Sequence, residues 1–399
     1  MKARTVSAIR STTSRRRNRR RSLSRPNTIK PAAHHGRHHH TTTEETNMQL
    51  TISRPELVRI IAAVSRVVES RNIMEILSSL RLTAKDGVLT VTATDLTIIA
   101  EARAEADVKA DGDVCVEAKL FNDIAKKAGS AEVSITLDDD KLIVKSGRSR
   151  FSLKTLDARD FPSFGDDNYG EEFTADLSSL LGAVAFASGR NDIREMLNGV
   201  LLRSLKGKLV AVATDGHRLA RVSGEEAPTF EDIIIPSKAV TVIPKGNVTI
   251  GVSEEKLRVV GEDISIITKL IGLVYPEYER VIPQQNDKVF TVDRDEMMRA
   301  ADRVVTVSSE KSKSVRLSIA PGAIQFSARS EAGEAADEVA AEYSGEPIEY
   351  GLNSLYLRDM LHALPPGKAK FALSETMSPA VITGENDNWD GVLMPLRVS

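Results

Sequence analysis

Leu50-Thr51-Ile52-Ser53-Arg54-Pro55-Glu56-Leu57-Val58-Arg59-Ile60-Ile61-Ala62-Ala63-Val64 reads as a short strand running straight into an amphipathic helix. Leu57, Ile60, Ile61 and Val64 recur at helical spacing and form one apolar stripe, with Arg54, Arg59 and, further on, Arg66 off it. The same signature returns twice. Phe173-Thr174-Ala175 leads into a helical stretch over 178–187, and Phe290-Thr291-Val292 into one over 294–304. The starts at 50, 173 and 290 lie 123 and 117 residues apart.

Working outward, each copy continues in the same order. Alternating strands at 89–93, 209–213 and 324–328 follow at offsets of 39, 36 and 34 residues. A second helix follows at 119–128, 237–243 and 354–364, the last stopped by Pro365-Pro366-Gly367. Each copy ends near Phe161-Pro162, Tyr275-Pro276 or Met394-Pro395. A fixed order at a fixed period signals an internal repeat. The sequence therefore predicts an α+β chain of three tandem domains over 48–168, 169–287 and 288–399 after an extension over 1–47. In the helix at 119–128, Leu120, Ile124 and Ala128 are expected inward and Lys119, Lys126 and Lys127 outward. Arg294, Arg299, Arg303, Arg358 and His362 add basic groups to the third domain's helices.

The whole chain of 399 residues carries a net charge of −2, but residues 1–47 hold 12 Lys and Arg against 2 Glu. That leaves 42 basic and 54 acidic residues in 48–399, so the two parts carry +10 and −12. The first segment has few aliphatic residues and contains Arg15–Arg17, Arg19–Arg21 and five of the seven histidines. It is expected to be disordered. It fits a transit peptide, a nucleic-acid-binding arm, or an upstream extension ahead of a start at Met48, and the last is the working reading. Apolar runs such as 180–187 fall short of the ~20 residues that cross a bilayer, so no membrane partner is expected. The single cysteine, Cys115, excludes an internal disulfide and cysteine-built metal sites. A reducing, cytoplasmic setting, without cofactor or metal, is the expectation.

His217 beside Asp215 invites a hydrolytic reading, yet no nucleophile elbow, Walker loop, dinucleotide fingerprint or His-Glu-x-x-His pattern accompanies it. Asp215-Gly216 after an alternating strand is more simply a turn. His217 and Arg218 are then expected as exposed binding groups on a loop. A hydrolase and a monomeric β-rich adaptor remain the alternatives.

Four motifs in order carry a family likeness: Met196-Leu197-Asn198-Gly199-Val200-Leu201, Ala213-Thr214-Asp215-Gly216-His217-Arg218-Leu219, Tyr275-Pro276-Glu277-Tyr278-Glu279-Arg280-Val281-Ile282-Pro283 and Met394-Pro395-Leu396-Arg397-Val398. With the threefold repeat they resemble the bacterial DNA polymerase III beta subunit, the sliding clamp family. The resemblance covers 48–399. It implies a non-enzymatic processivity factor, a head-to-tail homodimer of three DNA-clamp domains per chain, closed as a six-domain ring around double-stranded DNA without sequence specificity. It also implies partners that bear short clamp-binding peptides: replicative polymerase subunits, the clamp loader, other polymerases and repair proteins, at the nucleoid.

By the same resemblance, Arg71, Arg190 and Asn191 match duplex-facing positions. Leu197, Thr214, Gly216, His217, Arg218, Leu219, Pro276, Arg280, Val281, Val392, Met394, Pro395, Leu396 and Arg397 match a partner-peptide groove, with Met377 and Pro379 fitting less closely. Met and aliphatic side chains suit such a slot because they adapt to several ligands. For the dimer interface, Lys145, Arg148 and Arg150 of the first domain are set against Glu331, Glu334, Asp337 and Glu338 of the third. Phe151, Leu153, Val305 and Val307 are the expected apolar centre.

Overall fold

A computed structural model describes residues 48–69, 73–165, 168–308, 313–385 and 388–397. Six α-helices occur among them: α1 (Arg54–Val64), α2 (Ala118–Lys127), α3 (Leu177–Gly182), α4 (Ser237–Val240), α5 (Arg294–Val305) and α6 (Ser354–Ala363). The first helix of each repeat begins after a side chain that caps it. Ser53 accepts from the Glu56 N–H, Asp176 from Ser179 and Asp293 from Glu296, which satisfies amides that have no partner inside the helix.

The middle repeat departs from expectation in length. The stretch over 178–187 breaks after Gly182, and a separate 3-10 turn covers Ala185–Ala187. Glycine is a poor helix former, and Val184 has already left helical geometry at φ −126°. The helix expected over 237–243 ends at Val240. It has no side-chain cap, β-branched Thr241 and Val242 follow, and Pro244 sits just downstream. In α2 the buried face is Ala118, Phe121, Ile124 and Ala125, while Leu120 is 49% exposed. The expected placement of Leu120 is thus corrected by one residue: Phe121, the larger apolar group next to it, takes the core.

The strands join into two long antiparallel ladders of 13 and 12 strands, each running from one repeat into the next. Strand Ile98–Glu105 of the first repeat pairs with Ile264–Lys269 of the second, from Ile264 opposite Ala102 to Thr268 opposite Ile98. Strand Arg218–Glu226 of the second pairs with Trp389–Leu393 of the third, from Arg218 opposite Leu393 to Val222 opposite Trp389. These two joints use equivalent strands, so the chain repeats its connections as well as its units. The helices bury their apolar stripes against the ladders in one extended core. None of the described helices is long and apolar enough to cross a membrane.

Candidate functional site

At the second joint the hairpin turn between strands Lys208–Thr214 and Arg218–Glu226 is built by its own side chains. Asp215 Oδ1 accepts from the backbone N–H groups of His217 (2.9 Å) and Arg218 (3.0 Å). Thr214 Oγ1 donates to the Arg218 carbonyl (2.7 Å), and Gly216 takes φ +85°, a conformation that suits glycine. The turn is latched from two sides: Thr214 N–H donates to the Tyr275 hydroxyl (3.0 Å), and Met394 N–H to the His217 carbonyl (2.9 Å). Burial holds the Tyr275 phenol above its ordinary range, so it stays protonated.

Beside this turn lies a mainly aliphatic cavity of about 200 Å³. It gathers nine expected groove residues: Leu197, Thr214, Gly216, Arg218, Leu219, Pro276, Val281, Val392 and Met394. A second cavity of about 400 Å³ holds Met377, Leu396 and Arg397. Leu396 N–H donates to the Gly351 carbonyl (2.8 Å), fixing the segment that borders both cavities. His217, Arg280, Pro395 and Pro379 line neither. The His217 ring stacks near Tyr356, and Arg280 pairs with Glu277 at 2.5 Å. Arg194, Glu277 and Tyr278 line the first cavity and escaped the sequence reading. Glu277 and Tyr278 sit inside a motif already noted, but the 3-10 turn over Tyr278–Val281 that sets them beside the cavity becomes visible only in the fold.

Arg218 is not the exposed group expected. Its side chain is 9% accessible and is held by Asp359 Oδ2 (2.7 Å), Asp215 Oδ2 (3.2 Å) and the Phe186 carbonyl (2.6 Å). Its guanidinium lies 4.5 Å from the Tyr356 ring centre and 5.3 Å from that of Phe186. A buried arginine is tolerable when its donors are met in this way. Asp215 therefore serves the turn and Arg218, and makes no catalytic pair with the His217 ring.

Of the expected DNA contacts, Arg71 lies outside the described residues. Arg190 and Asn191 are exposed at the start of a compact loop, with Asn191 at φ +55°. Gly189 N–H closes that loop on the Leu197 carbonyl (2.7 Å), and Asp192 N–H on Asn198 Oδ1 (2.9 Å). Several expected basic groups are already neutralised: Arg59 by Glu56 and Asp263, and Arg303 by Asp337. Lys119, Lys126, Lys127 and Arg299 are exposed and make no ion pair among the described residues.

Of the expected interface set, Lys145, Arg148, Arg150, Glu331, Glu334 and Glu338 are exposed. Phe151 and Val307 pack against the core without being fully covered, and Val305 is half-buried. Leu153 belongs to the first repeat's core at 3% exposure and offers no side chain to a neighbour. Asp337 is likewise engaged within the chain, with Arg303.

Three tandem repeats joined through their sheets, with an apolar groove at one joint, are the features of the processivity clamps. Residues 48–165, 173–277 and 279–397 match the N-terminal, central and C-terminal domains of the DNA polymerase III beta subunit, and the chain belongs to that family. A beta sliding clamp from Caulobacter vibrioides is 37% identical over 374 residues, covering 88% of this chain and 100% of the relative. Crystal structures of sliding clamps bound to griselimycin share the fold. That from Bartonella birtlesii has a TM-score of 0.85 at 34% identity, and that from Pseudomonas aeruginosa 0.84 at 33%, each covering 88% of this chain and 100% of the other. The chain is thus a sliding clamp subunit of DNA replication, a polymerase processivity factor and not an enzyme.

Proposed function

We propose that two copies of this chain close head to tail into a six-domain ring threaded by duplex DNA, and that the groove receives peptide segments of the replicative polymerase, the clamp loader, other polymerases and repair proteins in turn. The domains are 48–168, 169–287 and 288–399, with 1–47 a basic extension, and the ring works at the nucleoid in the cytoplasm. Arg71, Arg190 and Asn191 approach phosphates, with Lys119, Lys126, Lys127 and Arg299 supplying sequence-independent attraction.

The observation that carries the ring is a pair of unfinished joints. Strand Gly333–Glu342 is the third repeat's equivalent of Ile98–Glu105 and Arg218–Glu226, yet beyond its hairpin it pairs only at Ala341 and Glu342. Strand Ser149–Leu156 is the first repeat's equivalent of Ile264–Lys269 and pairs beyond its hairpin only at Thr155 and Leu156. Unpaired edges of this kind seek partners. Residues that match across the repeats point the same way. Ile266 and Val67 are fully covered at the first joint, whereas their equivalents Phe151 and Val307 are only partly covered.

The register follows from the repeat. Ala100 faces Ile266 across the first joint. Ala335 and Phe151 hold the equivalent places in their hairpins, so Ala335 meets the partner's Phe151 on the core side and Ala336 meets the partner's Arg150 on the outer side. This register sets Glu338 opposite the partner's Arg148, favouring the head-to-tail arrangement, although exposed pairs add little strength. An Arg150→Cys/Ala336→Cys chain is expected to oxidise to a covalent dimer visible without reductant, because directly opposed strand residues lie within disulfide reach. Cys115 does not compete: it is buried, and burial pushes its thiol up to about 12. A dimer that forms but cannot be linked would exclude this register, and a monomer at micromolar concentration would exclude the ring.

A further inference from the structure

We infer that the joint between chains lacks the charged lock that ties each internal joint, and that Ser330 marks where it is missing, which leaves the ring openable there; this rests on the head-to-tail reading of the ring. At the first internal joint the turn is built by Asp95, whose Oδ1 accepts from the Thr97 and Ile98 N–H groups (2.8 and 2.7 Å). Its Oδ2 receives Lys238 of α4, in the next repeat, at 2.5 Å, and Lys238 also meets Glu69 at 2.7 Å. Only 6% of the Asp95 side chain is accessible. The second joint does the same with the polarity reversed. Asp215 builds the turn, Arg218 pairs with it, and Arg218 then reaches Asp359 of α6. Each lock thus ties a hairpin turn to the second helix of the following repeat.

Strand register fixes the corresponding places in the third repeat. Ala93 faces Ala100, Ala213 faces Ala220 and Ala328 faces Ala335. Ser330 therefore stands where Asp95 and Asp215 stand, and Gly333 where Ile98 and Arg218 stand. Ser330 Oγ accepts from the Ala332 N–H (3.0 Å), the same two-residue reach that both aspartates make, so the turn is built alike but without its carboxylate. Glu331 holds the place of Leu96, which is 40% exposed and takes no part in the first lock. On the other side of the joint, Glu117, Pro236 and Asn353 face Ser79, Gly199 and Ser314, which aligns Lys119 with Lys238 and Asp123 with Asp359. Lys119 is exposed, Asp123 is half-buried, and neither makes an ion pair among the described residues. Around the ring, the partner's Lys119 and the partner's Asp123 thus approach a turn that offers neither an acid nor a cation at the lock position. Opening an internal joint would strand the covered Asp95 or Arg218 without its partner, a cost that the closing joint does not carry.

Ser330→Asp supplies the missing half, because an aspartate there can keep the Ala332 N–H bond, as Asp95 keeps that of Thr97, and turn its second oxygen to the partner's Lys119. Subunit exchange between donor- and acceptor-labelled rings of the full chain, followed by resonance energy transfer, reads the effect. Exchange is expected to slow by about three- to tenfold at low salt, a range between an exposed ion pair and a charge-assisted hydrogen bond. The difference should shrink at ~1 M salt, where surface charges are screened. Lys119→Gln, a surface change that tests the native joint by itself, should leave exchange at the native rate. Combined with Ser330→Asp it should cancel the slowing. Unchanged exchange in a Ser330→Asp dimer whose urea midpoint matches the native one, slowing that survives Lys119→Gln, or faster exchange in Lys119→Gln alone overturns the inference and leaves the ring standing. A native chain that is monomeric at micromolar concentration, or that stays on circular DNA after the circle is cut, overturns the ring reading and this inference with it.

Discussion

A Val307→Asp chain is expected to be monomeric and to be lost from circular DNA, while a native ring loaded on the same nicked plasmid stays on at high salt and leaves only after the plasmid is linearised. Val307 follows α5 at the place where Val67 follows α1, and Val67 is fully covered where the first and second repeats meet. If the open edges close in the same way, Val307 becomes buried, and an aspartate there must lose its water with no cation built to receive it. Removing one partner from a buried charge pair costs about 3–5 kcal/mol, and a new unpaired carboxylate belongs on that scale. At about 1.4 kcal/mol per decade, dimer dissociation should rise at least a hundredfold. Analytical ultracentrifugation measures the dimer, and gel filtration after loading by a clamp loader measures retention on DNA. Peptide binding serves as the fold control, because the groove belongs to the other joint. A dimer as tight as the native one would mean that Val307 lies outside the interface.

The repeat that makes this extrapolation possible is written plainly in the sequence. Strand-then-helix starts, alternating hairpins and second helices keep their order because each unit must bury the same faces, and apolar periodicity records that need directly. Finer features are less legible where two neighbouring residues compete for one role. Leu120 and Phe121 are both apolar and adjacent, and only the packing of α2 turns Phe121 in and leaves Leu120 out. The middle repeat's short helices follow from Gly182 and Pro244, but the alanines and valines between them read as helical when taken alone. The open edges of Gly333–Glu342 and Ser149–Leu156 cannot be seen before pairing is known, since an edge strand and a central strand can share one pattern. Arg194 gives no hint of its place either: its side chain pairs locally with Asp192, and only the Asp215 carbonyl, 21 residues on, ties it to the groove's turn.

Arg218 is the clearest case of chemistry hidden from a linear reading, and it sets the second large expectation. An arginine after a Gly-containing turn reads as exposed, yet its acceptors come from the Phe186 carbonyl 32 residues earlier and from Asp359 on α6, 141 residues later. The guanidinium thus ties the groove's turn to the helix of the next repeat. Replacing Arg218 with Met keeps much of the volume and the contact with Tyr356, but leaves Asp215 without its guanidinium partner and Asp359 with only the more distant Arg358, at 3.8 Å. Asp215 keeps its two backbone donors, and Asp359, at 34% exposure, can still draw on water. The loss should therefore fall below the full range for a broken buried pair, at about 2–3 kcal/mol. Urea unfolding with an unchanged slope would register it as a lower midpoint. Adding Asp359→Leu removes the carboxylate that the methionine strands, so the double variant should recover part of the loss and expose the coupling directly. Strict additivity of the two substitutions would show that the pair does not join the repeats energetically. If coupling is present, the groove floor and the second joint are one structural unit, and a substitution on α6 that never touches a ligand will still weaken peptide binding.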